Sequence, residues 1–304
     1  MPPMRHAILG AGGVGGLVGA CLARCGASVT LVLRRESLNQ YPDELHLESA
    51  FGNFSVPVSR AAEVPPADVL WITVKATQLG AALGSFTKPD SVRAIIALLN
   101  GIDHLAMLRA NYGAEKVIAA TIAVESERVA PGQILHHSPF ARLNVSSAGR
   151  GLLGATLDEL QTMGFECRFI DDEPTLMWGK IVFLAPFALT TTAADCPLGG
   201  IIGRAGWKPQ LESCVREACA VARAEGAKVD AESVISSLTK MPANMRSSMQ
   251  KDVENRKAPE LDAIAGPILR AAARHGIEVP TTKKLAAAVE RRAGGGRSLP
   301  SPSK

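Results

Sequence analysis

Along the first half of the chain, short apolar runs alternate with stretches of helical periodicity. Residues 5–10 (RHAILG) are the kind of run that forms a buried strand, and residues 14–25 are an Ala/Leu/Val-rich stretch of helical length closed by Gly26, a residue suited to a helix C-cap. SVTLVL (28–33) predicts a second strand, and ADVLWITVK (67–75), after Pro65-Pro66, a third. AIIALLN (94–100) predicts a fourth and KVIAATIAV (116–124) a fifth. Helical patterns over 77–86 and 102–112 separate the last three, and the segment between Leu33 and Pro65 is polar and irregular. This alternation predicts an α/β domain built on a Rossmann-type, mostly parallel sheet covered on both faces.

Beyond residue 125 the rhythm changes. PGQILHHSPFARLNVSS (131–147) predicts a β-hairpin, 152–165 an amphipathic helix and CRFID (167–171) a short strand. From Glu173 onward nearly everything reads helical: 174–194, 208–226, 230–255, 258–275 and 279–292. The organisation expected is therefore a Rossmann-type domain over 1–172, an all-helical C-terminal domain over 173–292, and a Gly/Ser/Pro-rich disordered tail over 293–304. No run approaches the roughly 18–20 apolar residues of a membrane span. The first apolar run is broken by glycines and flows into a βα pattern, which argues against an export signal.

Composition narrows the function classes. A chain of 304 residues, 47% hydrophobic and 20% charged, can bury a sizeable core. Its net charge of +4 is spread along the sequence, too mild and diffuse for nucleic acid; a small anionic ligand accounts for local basic sites. The six cysteines form no CxxC pair and have no metal-ligand spacing with the histidines, so no metal is expected and they read as reduced core thiols of a cytoplasmic protein. His104, His136, His137 and His275 read as structural. The long helical patterns at 208–226 and 230–255 are compatible with a homodimer, but amphipathicity alone does not separate a core face from an interface.

The candidate chemistry begins at HAILGAGGVGG (6–16), where Gly10, Gly12 and Gly15 form a GxGxxG loop with Gly13 and Val14 inside it. The loop follows a predicted strand and opens a predicted helix within a βαβ unit, the context that makes this pattern a dinucleotide signature. Gly10 permits the tight turn, Gly12 lets a pyrophosphate approach the backbone, and Gly15 lets helix pack on strand. The helix N-terminus then offers amide donors and a positive dipole end to the phosphates. After the second strand, where an acidic residue would bind the ribose of NAD, the chain has Arg34 and Arg35. A guanidinium there suits a 2′-phosphate, so NADP(H) is expected with Arg34 as the clamp and the other arginine a solvated surface charge.

Several segments together resemble the ketopantoate reductases, the NADP-dependent 2-dehydropantoate 2-reductases of pantothenate synthesis. They are GAGGVGG (10–16), VKATQ (74–78), LLNG (98–101), WGK (178–180), REACAVARAEG (216–226), SSMQKDVENRKAPELDAIAG (247–266) and HGIEVPTTKKL (275–285). The resemblance covers roughly residues 4 to 292 and implies reduction of a small 2-oxo acid to a 2-hydroxy acid, with no nucleic acid or membrane partner. It places the catalytic lysine on Lys180 and its acidic partner on Glu260, a substrate-binding serine on Ser248, and a further acidic position on Glu217. Lys75 and Asn100, each ending a predicted strand, match polar residues near the nicotinamide.

The residues carry part of that chemistry by themselves. Ketone reduction needs a proton donor and a positive charge at the developing alkoxide, and a lysine supplies both. Lys180 is the one charged residue of LMWGKIVFLAPFAL (176–189). It either pairs with a carboxylate such as Glu260 or snorkels to the surface. Ser248 has a competing reading as a helix cap. Lys75 reads alternatively as an exposed strand end, and Asn100-Gly101 as a turn.

The chain also departs from its apparent relatives. Where the family carries asparagines four and eight residues after the lysine, and again past a Cys-Pro pair, this chain has Leu184, Ala188 and Leu198, and Pro186 interrupts the helical pattern. Leu184 and Ala188 therefore stand at expected substrate-binding positions as apolar replacements, and a substrate other than ketopantoate becomes an open alternative. A non-catalytic NADP-binding sensor or assembly protein is a second alternative. A hydroxy-acid or opine dehydrogenase is a third, opposed by the 247–266 segment.

Overall fold

The computed structural model describes residues 3–294. The chain divides into two compact units, one holding the chain up to Leu99 together with Asp103–Leu176, the other holding Asn100–Ile102 and the chain from Met177. The division falls at 176/177 rather than at the expected 172/173 because one helix, Glu173–Ala194, runs across it. The first turn of that helix stays with the first unit, where the Arg109 guanidinium holds the Glu173 carboxylate through paired bonds of 2.6 and 2.8 Å. Asn100–Ile102 grouping with the second unit was not expected from the sequence.

The first unit runs β1 (Arg5–Leu9), α1 (Gly13–Arg24), β2 (Ser28–Val32), β3 (Glu44–Glu48), β4 (Phe54–Pro57), β5 (Ser59–Ala61), β6 (Ala67–Ile72), α2 (Leu79–Ala82), β7 (Val92–Ala97), α3 (Asp103–Tyr112), β8 (Val117–Ile118), β9 (Ala120–Ala123), β10 (Ser126–Ala130), β11 (Gln133–His136), β12 (Ala141–Ser146), α4 (Arg150–Thr162) and β13 (Phe165–Ile170). Six strands form an all-parallel sheet in the order β5-β2-β1-β6-β7-β8. The strand order reverses between β1 and β6, the switch point where sheets of this kind bind ligands beyond the strands' carboxyl ends. Those two strands are almost entirely apolar because helices and loops cover both faces. Their buried polar side chains pair with each other, Trp71 Nε1 donating to His6 Nδ1 at 3.1 Å, while His6 Nε2 is buried with no partner among the described residues. Burial holds the His6 imidazole down to about 4, against the pull of Asp68, so it is neutral and structural.

The region expected to be irregular contains β3, β4 and β5. Strand β3 buries only Leu45 and Leu47 and exposes Glu44, His46 and Glu48, too few apolar positions to read as a run. Residues 131–147 do not form one hairpin. The hairpin is β10–β11, turning at Gly132 in the left-handed region (φ +75°), and with β3 and β4 it makes a second, four-stranded sheet in the order β10-β11-β3-β4. Strand β12 instead pairs with β9 and β13 in a third sheet. The expected fifth strand, 116–124, splits between β8 on the parallel sheet and β9 on the third.

The second unit contains the rest of α5 (Glu173–Ala194), then α6 (Leu198–Ile202), α7 (Lys208–Ala224), α8 (Ala231–Thr239), α9 (Ser248–Glu254), α10 (Leu261–His275) and α11 (Pro280–Gly294). The helix expected over 230–255 is two, separated by a segment containing Pro242, which lacks the amide a continuing helix needs. Helix α9 restarts at Ser247, whose hydroxyl accepts the Gln250 amide at 3.1 Å. Among the described residues α5 is the one helix long and apolar enough to cross a bilayer, contrary to the expectation that no run approaches that length; 72% of its apolar 18-residue window is buried, and it is a core helix. It continues through Pro186, where the Thr190 hydroxyl donates to the Pro186 carbonyl at 2.7 Å. Helix α11 extends to Gly294 rather than 292, and the rest of the expected tail, 295–304, lies outside the described residues.

Candidate active site

In the first unit the chain leaves β1 into the glycine loop and enters α1 with no side-chain cap on its first amides. Gly10 sits at φ +109°, a conformation that a side chain would strain, and a Cβ there would also strike Val74. A Cβ on Gly12 would meet no atom within 4 Å, so this is the glycine whose backbone stands open to a ligand. Gly15 and Gly13 are closed for different reasons: a Cβ would collide with the Gly10 carbonyl in one case and with the Ser126 backbone of β10 in the other. Val14 is half-buried against the core. The arrangement fits a pyrophosphate, which needs an open backbone and uncapped helix amides with their positive dipole end.

Three hydroxyls that sequence reasoning missed hold the loop's carbonyls. Thr73 Oγ1 donates to the Gly10 carbonyl at 2.6 Å, Tyr41 Oη to Ala11 at 3.3 Å, and Ser126 Oγ to Gly13 at 3.0 Å. Thr73 had a faint signal, a polar residue just past an apolar strand; Tyr41 and Ser126 had none. The two arginines after β2 behave differently. Arg35 donates to Glu63 at 2.7 Å on the surface, whereas Arg34 is exposed and has no carboxylate partner among the described residues. Lys75 is exposed and lies past the end of β6, at the start of a short turn over 76–78.

The second unit brings together residues remote in sequence. Glu260, 9% exposed, precedes α10, and Asn100 Nδ2 donates to its Oε2 at 3.0 Å. Gly101 makes that approach feasible: it has φ +86°, and a Cβ would press on the Ala263 carbonyl in the first turn of α10. Lys180 on α5 interacts electrostatically with Glu260. Although Lys180 is half-buried as a residue, desolvation lowers its ammonium to about 8, with the Glu260 charge acting the other way. An ammonium with that pKa is charged at neutral pH and a far better proton donor than an ordinary lysine. The site thus contains an acid held near neutrality, a carboxylate beside it, and an amide orienting the carboxylate.

Other expected site residues lie elsewhere or are already engaged. Glu217 does not present a free carboxylate: it accepts the amides of Thr281 and Thr282, both at 2.8 Å, and the Thr282 hydroxyl at 2.7 Å, capping the N-terminus of α11. It is structural, and sequence reasoning had no means of seeing that its acceptors were taken. Glu217→Ala should therefore cost about 2 kcal/mol of stability, read as a lower urea midpoint. Ser248 is exposed at the first turn of α9, and the cap is its neighbour Ser247. Ala188 and Leu198 are fully buried in the helical core, while Leu184 is half-buried. All six cysteines are free, and no cluster of metal-binding side chains exists among the described residues.

A glycine loop open to a pyrophosphate and, further along the same chain, a lysine poised near neutrality are the equipment of an oxidoreductase. Residues 6–149 match the family described as ketopantoate reductase PanE/ApbA, and residues 174–293 match its C-terminal part. The chain belongs to the ketopantoate reductase family. It is 29% identical over 296 residues to the uncharacterized oxidoreductase YkpB of Bacillus subtilis, covering 93% of this chain and 96% of that protein. It is likewise 29% identical over 292 residues to the 2-dehydropantoate 2-reductase of Caulobacter vibrioides, covering 92% and 96%. The crystal structure of a PanE/ApbA family ketopantoate reductase from Ralstonia eutropha JMP134 superposes with a TM-score of 0.84 at 27% identity, covering 96% of this chain and 99% of that one.

Proposed function

We propose that the protein is a cytoplasmic NADPH-dependent reductase that converts a small 2-oxo acid, ketopantoate or a related acid, to the 2-hydroxy acid. The observation that carries this reading is Lys180, an ammonium lowered to about 8 beside the buried carboxylate of Glu260. Lys180 donates the proton to the carbonyl oxygen and stabilises the negative charge as it forms there. Glu260 keeps the lysine charged, and Asn100 fixes Glu260 through its 3.0 Å bond. A reduced nicotinamide dinucleotide, when bound, supplies the hydride. Gly10, Gly12, Gly13, Val14 and Gly15 form its phosphate loop, Arg34 pairs with the 2′-phosphate, and the family resemblance adds Lys75 near the nicotinamide. Ser248 is assigned to substrate binding on the same resemblance.

NADPH consumption across a panel of 2-oxo acids tests this. Turnover of at least one is expected; tight NADPH binding with no turnover of any would replace the reductase by a non-catalytic cofactor sensor. The pH profile gives a sharper check. Because the reactive form is the protonated ammonium, kcat/KM for reduction should be flat below about pH 8 and fall tenfold per unit above it. A profile flat to pH 10 or beyond would contradict the assignment of Lys180 as the acid. Thr73→Val, which keeps the shape but removes the donor to Gly10, should weaken NADPH binding roughly 3- to 10-fold in a fluorescence titration without altering the pH profile.

A further inference from the structure

Several hydroxyl and carboxyl groups of the second unit's helices are committed to the protein itself, while Thr192 Oγ1 and Gln250 Oε1 are buried with no partner among the described residues. Thr190 and Thr191 turn back onto the Pro186 and Phe187 carbonyls at 2.7 and 2.8 Å. Thr191 also meets Ser247 Oγ at 3.0 Å, and Ser247 caps α9. Glu217 caps α11, and the Asn100 amide is held by Glu260. Beside Lys180 the surface of α5 is hydrocarbon. Phe183 and Leu184, three and four residues on, share its face and are half-buried. Helical side chains lean toward the N-terminus, so these two cover the turn that carries Lys180. Next to the lysine, a Cβ on Gly179 would meet nothing within 4 Å, which leaves room at this position.

We infer that the substrate is a 2-oxo acid whose side chain is a branched or aromatic hydrocarbon with no hydroxyl, seated on Phe183 and Leu184 with its ketone at Lys180. This rests on the reductase reading and deepens it. In the reaction the carbonyl carbon gains a hydride from the reduced nicotinamide, the carbonyl π pair moves to oxygen, and that oxygen takes a proton from the Lys180 ammonium. The nicotinamide is oxidised by two electrons, and solvent restores the proton. With the ketone at Lys180, the hydrocarbon face of Phe183 and Leu184 beside it takes the side chain. A hydroxyl placed against Phe183 and Leu184 loses water and meets hydrocarbon, a penalty that apolar surfaces convert into discrimination of about 10- to 100-fold.

A matched pair isolates this effect: 3,3-dimethyl-2-oxobutanoate and its 4-hydroxy derivative, ketopantoate, differ by one hydroxyl. The unaltered protein with NADPH should show kcat/KM at least about tenfold higher for the acid without the hydroxyl. Equal values, or a preference for the hydroxylated acid, overturn the inference while leaving the reductase reading intact. No turnover of either acid, or of any other 2-oxo acid, overturns both. Leu184→Asn should shrink the ratio at least about threefold by raising turnover of the hydroxylated acid. Phe183→Tyr, which retains the ring, serves the same purpose where Leu184→Asn does not fold. A ratio unchanged in a folded variant overturns the assignment of this face.

Discussion

Lys180→Ala is expected to lower kcat/KM for 2-oxo acid reduction about a thousandfold, near 4 kcal/mol of transition-state stabilisation, while NADPH affinity stays within about twofold of the unaltered protein. The loss combines two contributions of one ammonium, the proton delivered to the carbonyl oxygen and the positive charge that meets the alkoxide. Both act only as the reaction proceeds, so the effect should fall on kcat rather than on substrate binding. Lys180→Arg separates them: a guanidinium keeps the charge but does not release its proton, and recovery of only a minor part of the rate is expected. Glu260→Gln supplies an independent readout. Desolvation already lowers Lys180, and the Glu260 charge is what opposes it. Removing that charge should move the alkaline limb of the pH profile below 8, a shift that a merely structural role for Glu260 would not produce. Wild-type turnover in Lys180→Ala would sink the mechanism.

How far the sequence could be read depended on whether each feature is local. The β1–α1–β2 unit was legible because its strands are mostly apolar runs and its glycines follow a fixed spacing, required by backbone conformation at Gly10 and by close packing at Gly15. The two-unit plan was legible for the same reason, since helical periodicity takes over at Glu173. Strands β3 and β4 were not, because short strands with one buried face give little periodic signal. The break between α8 and α9 was overlooked although Pro242 marks it. Within the site, Lys180 stands out as a lone charge in an apolar helix. Its environment does not: the Asn100–Glu260 bond joins residues 160 positions apart, made possible by the turn at Gly101. Glu217 shows the converse. A carboxylate on a helix is chemically available until the fold brings two amides and a hydroxyl to it.

Arg34→Ala should raise the KM for NADPH roughly 30- to 100-fold and leave that for NADH within about threefold, because only the 2′-phosphate distinguishes the two cofactors. Arg34 lies two residues past the end of β2, in extended backbone (φ −63°, ψ 145°), the region from which the second strand of a βαβ unit reaches the adenosine ribose. It is exposed and without a carboxylate among the described residues, so no internal ion pair must break before it takes a phosphate. Arg35 already donates to Glu63 at 2.7 Å, with both side chains more than half exposed. Exposed pairs of that kind are weak, and Arg35→Ala should change the NADPH KM less than about threefold. The Arg34 contribution should also fade as salt is raised, since a charge pair at the surface is screened. If Arg35→Ala raises the NADPH KM and Arg34→Ala does not, the clamp has been assigned to the wrong guanidinium. If neither variant separates NADPH from NADH, the chain does not select its cofactor at this position, and the preference for NADPH fails with it.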